Sequence, residues 1–287
     1  QNIEILLVDD CSPDNTLEIA KKYTETDARI NILQYEKNRG LGGARNYGIQ
    51  NANGEYVLFV DSDDYIEANT IERLYEKAKD NNLCVLEANY LKESDSSTEI
   101  LPRRSNYTDI VYSGKKYWES IPIAPVVAWN KFYNLSFLKV NNIQFKLRKF
   151  EDVAFTAEVF MKAKRVMNID FPFYHYIVRD NSIMTETTSI SHLEDAFSLI
   201  KDMKLLFKEN QENEQMKKSY LYSFIGFFRL WHLYDDNIQI KKRMKRDVLE
   251  IFSDARRYVL VSKKLGIKQR LLLFVSHFSP LFYQFSF

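Results

Sequence analysis

The first ninety residues alternate between two hydrophobic patterns. A continuous apolar run at IEILLV (3–8) and the apolar-rich segments RINILQY (29–35), EYVLFV (55–60) and LCVLEANY (83–90) predict four strands. Between them lie helical spacings. SPDNTLEIAKKYTE sets Leu17, Ala20 and Tyr23 along one face, with Ser12 as the N-cap and Pro13 at the first helical position. A glycine-containing turn opens a helix through ARNYGIQNA, and NTIERLYEKAKDNN (69–82) reads as the next helix. Strands alternating with helices predict the α/β class, a mainly parallel sheet flanked by helices.

The later pattern is more mixed. Residues 92–110 are polar and read as a loop, 151–164 as a helix and 172–176 as a short strand. From residue 190 the period is helical to the end, with SFIGFFRLWHLY (223–234) as a core helix. The reading divides the chain into 1–100, 101–188 and a helical C-terminal region, 189–287. A chain of 287 residues has room for one large domain or two, and two cysteines, Cys11 and Cys84, build no disulfide framework. A reducing, cytoplasmic setting follows.

Net charge is +1, but it is unevenly spread: 23 basic against 30 acidic residues up to 200, then 11 basic against 3 acidic after 240. The final stretch, LLLFVSHFSPLFYQFSF (271–287), carries no Asp, Glu, Lys or Arg. Either this end packs on the rest of the protein, or 241–287 rests on a membrane surface. It is too short and too polar to span one. No nucleic-acid partner is expected.

Two strand ends carry acids: Asp9-Asp10 after 3–8, and Asp61-Ser62-Asp63-Asp64 after 55–60. In an open parallel sheet both ends face one crevice, where ligands bind. Crowded carboxylates suit a hard divalent cation, Mg²⁺ or Mn²⁺, completed by phosphate oxygens and water. A calcium-loop reading fails at Ile66, where the sharp turn needs glycine. KNRGLGGARNYG (37–48) is neither a dinucleotide fingerprint nor a P-loop. It does bring backbone close to a ligand and offers Arg45 to a phosphate or carboxylate. Glu151-Asp152 opens an apolar-periodic helix, AWNKFY (128–133) offers Trp129 and Lys131, and HYIVRDNSIM (175–184) offers Arg179 and Ser182.

Taken in order, ILLVDDCSPDNT, NRGLGGARNYGIQNANGEYVLFVDSDD, AWNKFY, FEDVAF and HYIVRDNSIM resemble the family 2 glycosyltransferases of the GT-A (Rossmann-like) fold, which build bacterial surface polysaccharides. The resemblance covers residues 3 to about 185. It implies an inverting transferase that moves a sugar from a nucleotide-sugar, typically a UDP-sugar, to a hydroxyl of a saccharide or lipid-linked acceptor. By the same likeness Asp61 and Asp63 hold the Mg²⁺ or Mn²⁺ and, with Ser62, meet the donor diphosphate. Asp9, Asp10 and Ser12 match the nucleotide turn, and Asn38, Gly40 and Arg45 the donor-binding segment beside it. Asp152 matches the general base, with Glu151 as its helper. Trp129 and Lys131 would line the sugar site, and Arg179 would reach the phosphates.

The resemblance also implies a strand and helix before residue 3, so a fragment with an open sheet edge and a partly open base pocket is expected. Cys11 stands where glycine is commoner. Two other readings remain: a catalytically degenerate scaffold of a polysaccharide-assembly complex, and a sugar nucleotidyltransferase. The expected location is cytoplasmic, peripheral on the inner face of the cell membrane.

Overall fold

The computed structural model describes residues 2–102, 107–121, 126–179 and 190–233, within two compact units, Gln1–Glu186 and Thr187–Phe287. In the first unit β1 (Ile5–Asp9), α1 (Thr16–Thr26), β2 (Ile30–Gln34) and α2 (Gly40–Asn51) follow in order. β1 and β2 pair in parallel, from Ile5 opposite Ile30 to Asp9 opposite Gln34. The helix after β1 starts at Thr16, three residues later than Pro13, because the Asp14 carboxylate accepts the Thr16 N–H at 3.0 Å. The N-cap position is Asn15 and not Ser12, whose backbone N–H donates to Asp9 Oδ1. Glu4 accepts the N–H groups of Asn53 and Gly54 at 2.6 and 2.8 Å, which ties the start of β1 to the turn after α2.

The second sheet has the order β3 (Tyr56–Leu58), β7 (Lys131–Asn134), β5 (Val85–Ser94), β8 (Val166–Ile177) and β4 (Tyr65–Ile66), with β6 (Ser97–Leu101) paired to β5. Only β5–β8 is parallel here; β3–β7, β5–β7, β4–β8 and β5–β6 are antiparallel. The α/β class stands, but the sheet is mixed rather than mainly parallel. Two residues, Asp95 and Ser96, join β5 to β6, and so short a link permits only a reversal of direction. The stretch 92–110, read as a loop, is therefore partly a hairpin. β6 is exposed at four of its five residues and carries no alternation to betray it. β1 and β3 lie in separate sheets, each pairing with one strand among the described residues.

β5 is covered on both faces, and its first five residues are all buried, the polar Glu87 and Asn89 among them. Leu86 and Ala88 pack with Leu74 and Ala78 of α3 (Thr70–Asp80) and with Phe132, Met167 and Phe173. Each such fully buried large apolar side chain contributes about 1.5–3 kcal/mol. Tyr117 of α4 (Gly114–Ser120) reaches Glu87 of β5, and α6 (Glu151–Lys162) lies against α4. Gly114 is required there, since a Cβ would run into the Phe160 carbonyl. α5 (Leu135–Val140) follows β7 directly. β7 sits between β3 and β5, so the parts read as 1–100 and 101–188 share one sheet.

The second unit is described as two helices, α7 (Ile190–Glu209) and α8 (Glu214–Leu233). Leu193, Ala196, Phe197, Ile200, Met203 and Phe207 recur at helical spacing and are buried. Phe207 stacks on Tyr220 at 5.4 Å, and Asn213 caps α8 by accepting the Met216 N–H. The helix expected at 223–234 is the later half of α8, up to residue 233. Among the described residues no helix is long and apolar enough to cross a membrane. Residues 241–287, on which the membrane-surface reading rests, lie outside them.

Candidate active site

Arg45 is the hub. It projects from α2 and is only 7% exposed. Its Nη2 donates to Asp61 Oδ1 at 2.7 Å and its Nη1 to Glu151 Oε1 at 3.0 Å. The bond to Glu151 spans 106 positions of sequence and joins the DSDD turn to the start of α6 through one guanidinium. The Phe145 and Phe59 rings lie 5.3 and 6.0 Å from its Cζ. Burial works against the charge, but Asp61, Glu151 and Asp152 outweigh it and hold the Arg45 pKa above its ordinary value. Of the two partners expected for Arg45, phosphate or carboxylate, its terminal nitrogens meet carboxylates, Asp61 and Glu151.

Helix α2 can bring Arg45 here because it lies very close to the loop before α6. A Cβ on Gly42 would strike the Lys146 carbonyl oxygen and approach Glu151 Cβ at 3.2 Å. Asn46, one residue past Arg45, donates to Phe145 O and accepts the Phe145 N–H, both at 2.8 Å. That loop ends on Phe150, whose φ of 62° places a non-glycine residue in the left-handed region immediately before Glu151-Asp152. Such strain costs on the order of 1–2 kcal/mol and is held in place by its surroundings.

Asp152 stands at the second position of α6. Burial first, then the neighbouring Glu151 charge, raise its pKa to about 7, while Arg45 and Lys131 pull it down. A carboxylate with that midpoint is half ionised at neutral pH, suited to exchanging a proton.

The DSDD turn is fixed from behind. Tyr174 of β8 accepts the Asp61 N–H at 3.0 Å and donates to Asp64 Oδ2 at 2.8 Å. Asp64 Oδ1 also accepts the Ile177 N–H. Burial, opposed by these bonds and aided by Asp63 and Asp61, raises the Asp64 pKa. Arg179 donates to the Asp63 carbonyl at 3.0 Å. Ser62 and Asp63 are exposed, and no donor among the described residues engages the Asp63 carboxylate. Asp61 keeps Oδ2 beyond its bond to Arg45.

At the end of β1 the acids serve the turn itself. Asp9 is buried and accepts from Ser12; Asp10 Oδ1 accepts the Arg39 N–H at 2.8 Å. Asn38 donates to Asp10 O and accepts the Gly40 N–H at 3.1 Å. Asp10, Asn38 and Gly40 therefore form one clasp between β1 and α2, and α2 carries Arg45 onward to Asp61 and Glu151.

Two expectations are corrected. Trp129 is 6% exposed, stacked on Tyr174 at 4.3 Å and Tyr176 at 5.6 Å. It supports the tyrosine that holds Asp61 and is no open platform for a sugar. Lys131 is fully buried, donating to Val127 O and to Asn130 Oδ1, so it does not line an open site. Ser182 lies outside the described residues.

Tyr174 escaped sequence reasoning because PFYHY reads as any short strand, and its bond to Asp64 is a contact between distant segments. So did His175, whose two ring nitrogens lie 2.6 Å from Glu93 and 3.0 Å from Glu67. No local spacing points to such contacts between distant strands.

Two aspartates of one turn, one with an open oxygen and one with a free carboxylate, fit a Mg²⁺ or Mn²⁺ that takes few protein ligands. Among the described residues no group of three or more His, Cys, Asp or Glu side chains could hold a metal alone. The remaining positions would fall to phosphate and water.

Residues 1–140 match the family described as glycosyl transferase family 2. Glycosyltransferase GlyG of Streptococcus pneumoniae is 31% identical over 211 residues, covering 68% of this chain and 67% of GlyG. The glycosyltransferase EpsH of Bacillus subtilis is 29% identical over 231 residues, covering 76% of this chain and 64% of EpsH. TarS of Staphylococcus aureus, a poly(ribitol-phosphate) beta-N-acetylglucosaminyltransferase, is 31% identical over 191 residues, 61% of this chain and 30% of TarS. The chain thus spans under two thirds of EpsH and under a third of TarS. The crystal structure of TarS residues 1–349 with UDP superposes with a TM-score of 0.66 at 22% identity, covering 96% of this chain and 77% of that one. At that identity the likeness carries the fold, which is GT-A.

Proposed function

The chain belongs to glycosyl transferase family 2, and on that premise we propose that it forms the donor and catalytic site of an inverting transferase using a UDP-sugar. The observation that carries this reading is the Arg45 bridge, which sets the DSDD turn beside Glu151-Asp152. A transferase needs the leaving diphosphate and the proton acceptor on the two sides of one anomeric carbon.

Asp152 takes the proton of an acceptor hydroxyl as that oxygen attacks the anomeric carbon. The bond from that carbon to the diphosphate oxygen breaks, and the configuration inverts. Asp61 and Asp63 would hold Mg²⁺ or Mn²⁺, which would neutralise the negative charge growing on the diphosphate. Arg45 keeps Asp61 and Glu151 apart from each other's repulsion and oriented. Glu151 raises the basicity of Asp152. Arg179, anchored on the Asp63 carbonyl, stands ready beside the diphosphate. Asp9 and Asp10 shape the turn that receives the nucleoside. The acceptor is a saccharide or lipid-linked sugar, and residues 241–287 attach the protein to a membrane surface.

Turnover of a panel of UDP-sugars with oligosaccharide acceptors, followed by UDP release and by the anomeric configuration of the product, tests the reading. Inverted product from wild type, with Asp152→Asn binding UDP but inactive, is expected. Retained configuration, or full activity in Asp152→Asn, overturns it. Liposome flotation with and without 241–287 tests attachment, and equal partitioning of both forms removes it.

A further inference from the structure

β4 follows the DSDD turn directly and pairs with β8 at only two positions, Tyr65 with His175 and Ile66 with Tyr174. So short a strand has few backbone bonds of its own, and side chains add to them. They converge on His175, which is buried. Its ring stacks on Tyr65 with centroids 4.1 Å apart, a cross-strand pair. Nδ1 lies 2.6 Å from Glu93 Oε1 of β5, and Nε2 lies 3.0 Å from Glu67 Oε1, just past β4. The Tyr65 hydroxyl donates to the other Glu93 oxygen at 3.3 Å, and the Glu67 N–H donates to Phe173 O. One imidazole therefore ties β5, β8 and the end of β4 together.

The strand that carries His175 also grips the turn. Tyr174 holds the Asp61 N–H and Asp64, the Ile177 N–H donates to Asp64, and Arg179 donates to Asp63 O. A shift of β4 against β8 would move Asp61 and Asp63 relative to those fixtures. The chemistry of the clamp adds a condition. An ionised carboxylate only accepts, so both ring contacts are hydrogen bonds only when each ring nitrogen carries a proton. A neutral ring donates to one glutamate and turns a lone pair towards the other.

We propose that His175 is a positioning residue for the donor turn: as an imidazolium between Glu67 and Glu93 it clamps β4 to β8, and loss of its proton weakens the hold of the DSDD turn on the diphosphate. This depends on the DSDD turn being the donor site, as proposed. The titratable groups facing the ring among the described residues are Glu93 from β5, and Tyr65 and Glu67 from the β4 side.

The test is calorimetric UDP affinity with Mg²⁺ across a pH series, with the His175 ring followed by the NMR signal of its Cε1–H and assigned through His175→Phe. In wild type, binding weakens about five-fold as the ring passes from imidazolium to neutral, the donor-competent fraction falling to about one in five. UDP itself gains negative charge as pH rises and would hold Mg²⁺ more tightly, so a fall does not come from the nucleotide. In Glu67→Gln, a substitution at a half-exposed side chain, the new amide can donate to the free nitrogen of a neutral ring, and the fall should vanish. His175→Phe keeps a ring against Tyr65 without either donor and should bind about five-fold more weakly throughout. Wild-type affinity that stays level while the ring changes form, an equal fall in Glu67→Gln, or wild-type affinity in His175→Phe overturns the proposal.

Hydrogen exchange of the Glu67 N–H, corrected for the intrinsic effect of pH, reads the clamp without nucleotide and should quicken as the ring becomes neutral. UDP binding with no change in exchange overturns the clamp and leaves the donor site standing. Quickened exchange with no UDP binding at any pH means that the turn is not the donor site, and the proposal falls with that reading.

Discussion

Arg45 and Asp61 are joined at 2.7 Å by a nearly buried ion pair, and the same guanidinium holds Glu151 at 3.0 Å. One residue of α2 thereby fixes the distance between the acidic turn after β3 and the start of α6. Arg45→Met should leave two carboxylates facing each other with no counter-charge. Removing one partner of a buried pair costs about 3–5 kcal/mol. Urea unfolding should show that loss. Arg45→Lys, which can reach only one acid at a time, should fall between the two.

Tyr174 is the second fixture of that turn. Tyr174→Phe deletes a hydroxyl that accepts from Asp61 N–H and donates to Asp64, leaving both partly unsatisfied. A cost of about 1–3 kcal/mol follows. Metal-dependent UDP affinity should drop while the circular dichroism stays that of wild type.

The raised pKa of Asp152 has a cost in stability that runs in a definite direction. Its folded value of about 7 lies above the usual 3.8, so the folded state binds the extra proton. The group's contribution is complete below about pH 4 and is lost as pH climbs through 7. Asp152→Asn should therefore be more stable than wild type above pH 7, by up to about 4 kcal/mol, with the gap closing towards pH 4. Thermal melts across that range check it. A buried group that destabilises its own fold fits the catalytic role proposed for Asp152 better than a structural one.

Cys11 occupies a left-handed backbone with φ of 63°. That geometry explains why glycine suits the position, as the sequence comparison with the family anticipated without its cause. Cys11→Gly should stabilise the protein by about 1 kcal/mol, read in urea, because a non-glycine residue is strained there.

Gly42 requires its missing side chain for a different reason, close approach. Gly42→Ala would press α2 away from Lys146 and Glu151. Nucleotide affinity and stability should fall together, whereas Gly48→Ala, whose Cβ would meet only Val8 at 3.8 Å, should be mild.

β1, β2, β3, α2 and α3 were legible because each is a local run of one period, whereas the two-residue β4 is too short to show one and α1 begins three residues later than its sequence start. The acidic turns were legible for the same reason: Asp9-Asp10 and Asp61–Asp64 end apolar strands. The β5–β6 hairpin was hidden because β6 is an exposed edge without alternation. Trp129 and Lys131 were placed at the sugar site by the family resemblance alone, and AWNKFY gives no sign of which neighbours will bury them. Their positions follow from β7 entering between β3 and β5, a long-range pairing that no local pattern specifies. Arg45 was recognised as an anion partner, but its partners turned out to be the protein's own acids.

The most direct measurement is calorimetric titration of the protein with UDP, first with Mn²⁺ and then with excess EDTA, beside Asp61→Asn/Asp63→Asn. Binding that needs Mn²⁺ and disappears in the double variant, with the variant still folded, is the expected result. UDP binding that is equal in the variant and indifferent to EDTA contradicts a metal-assisted donor site at the DSDD turn.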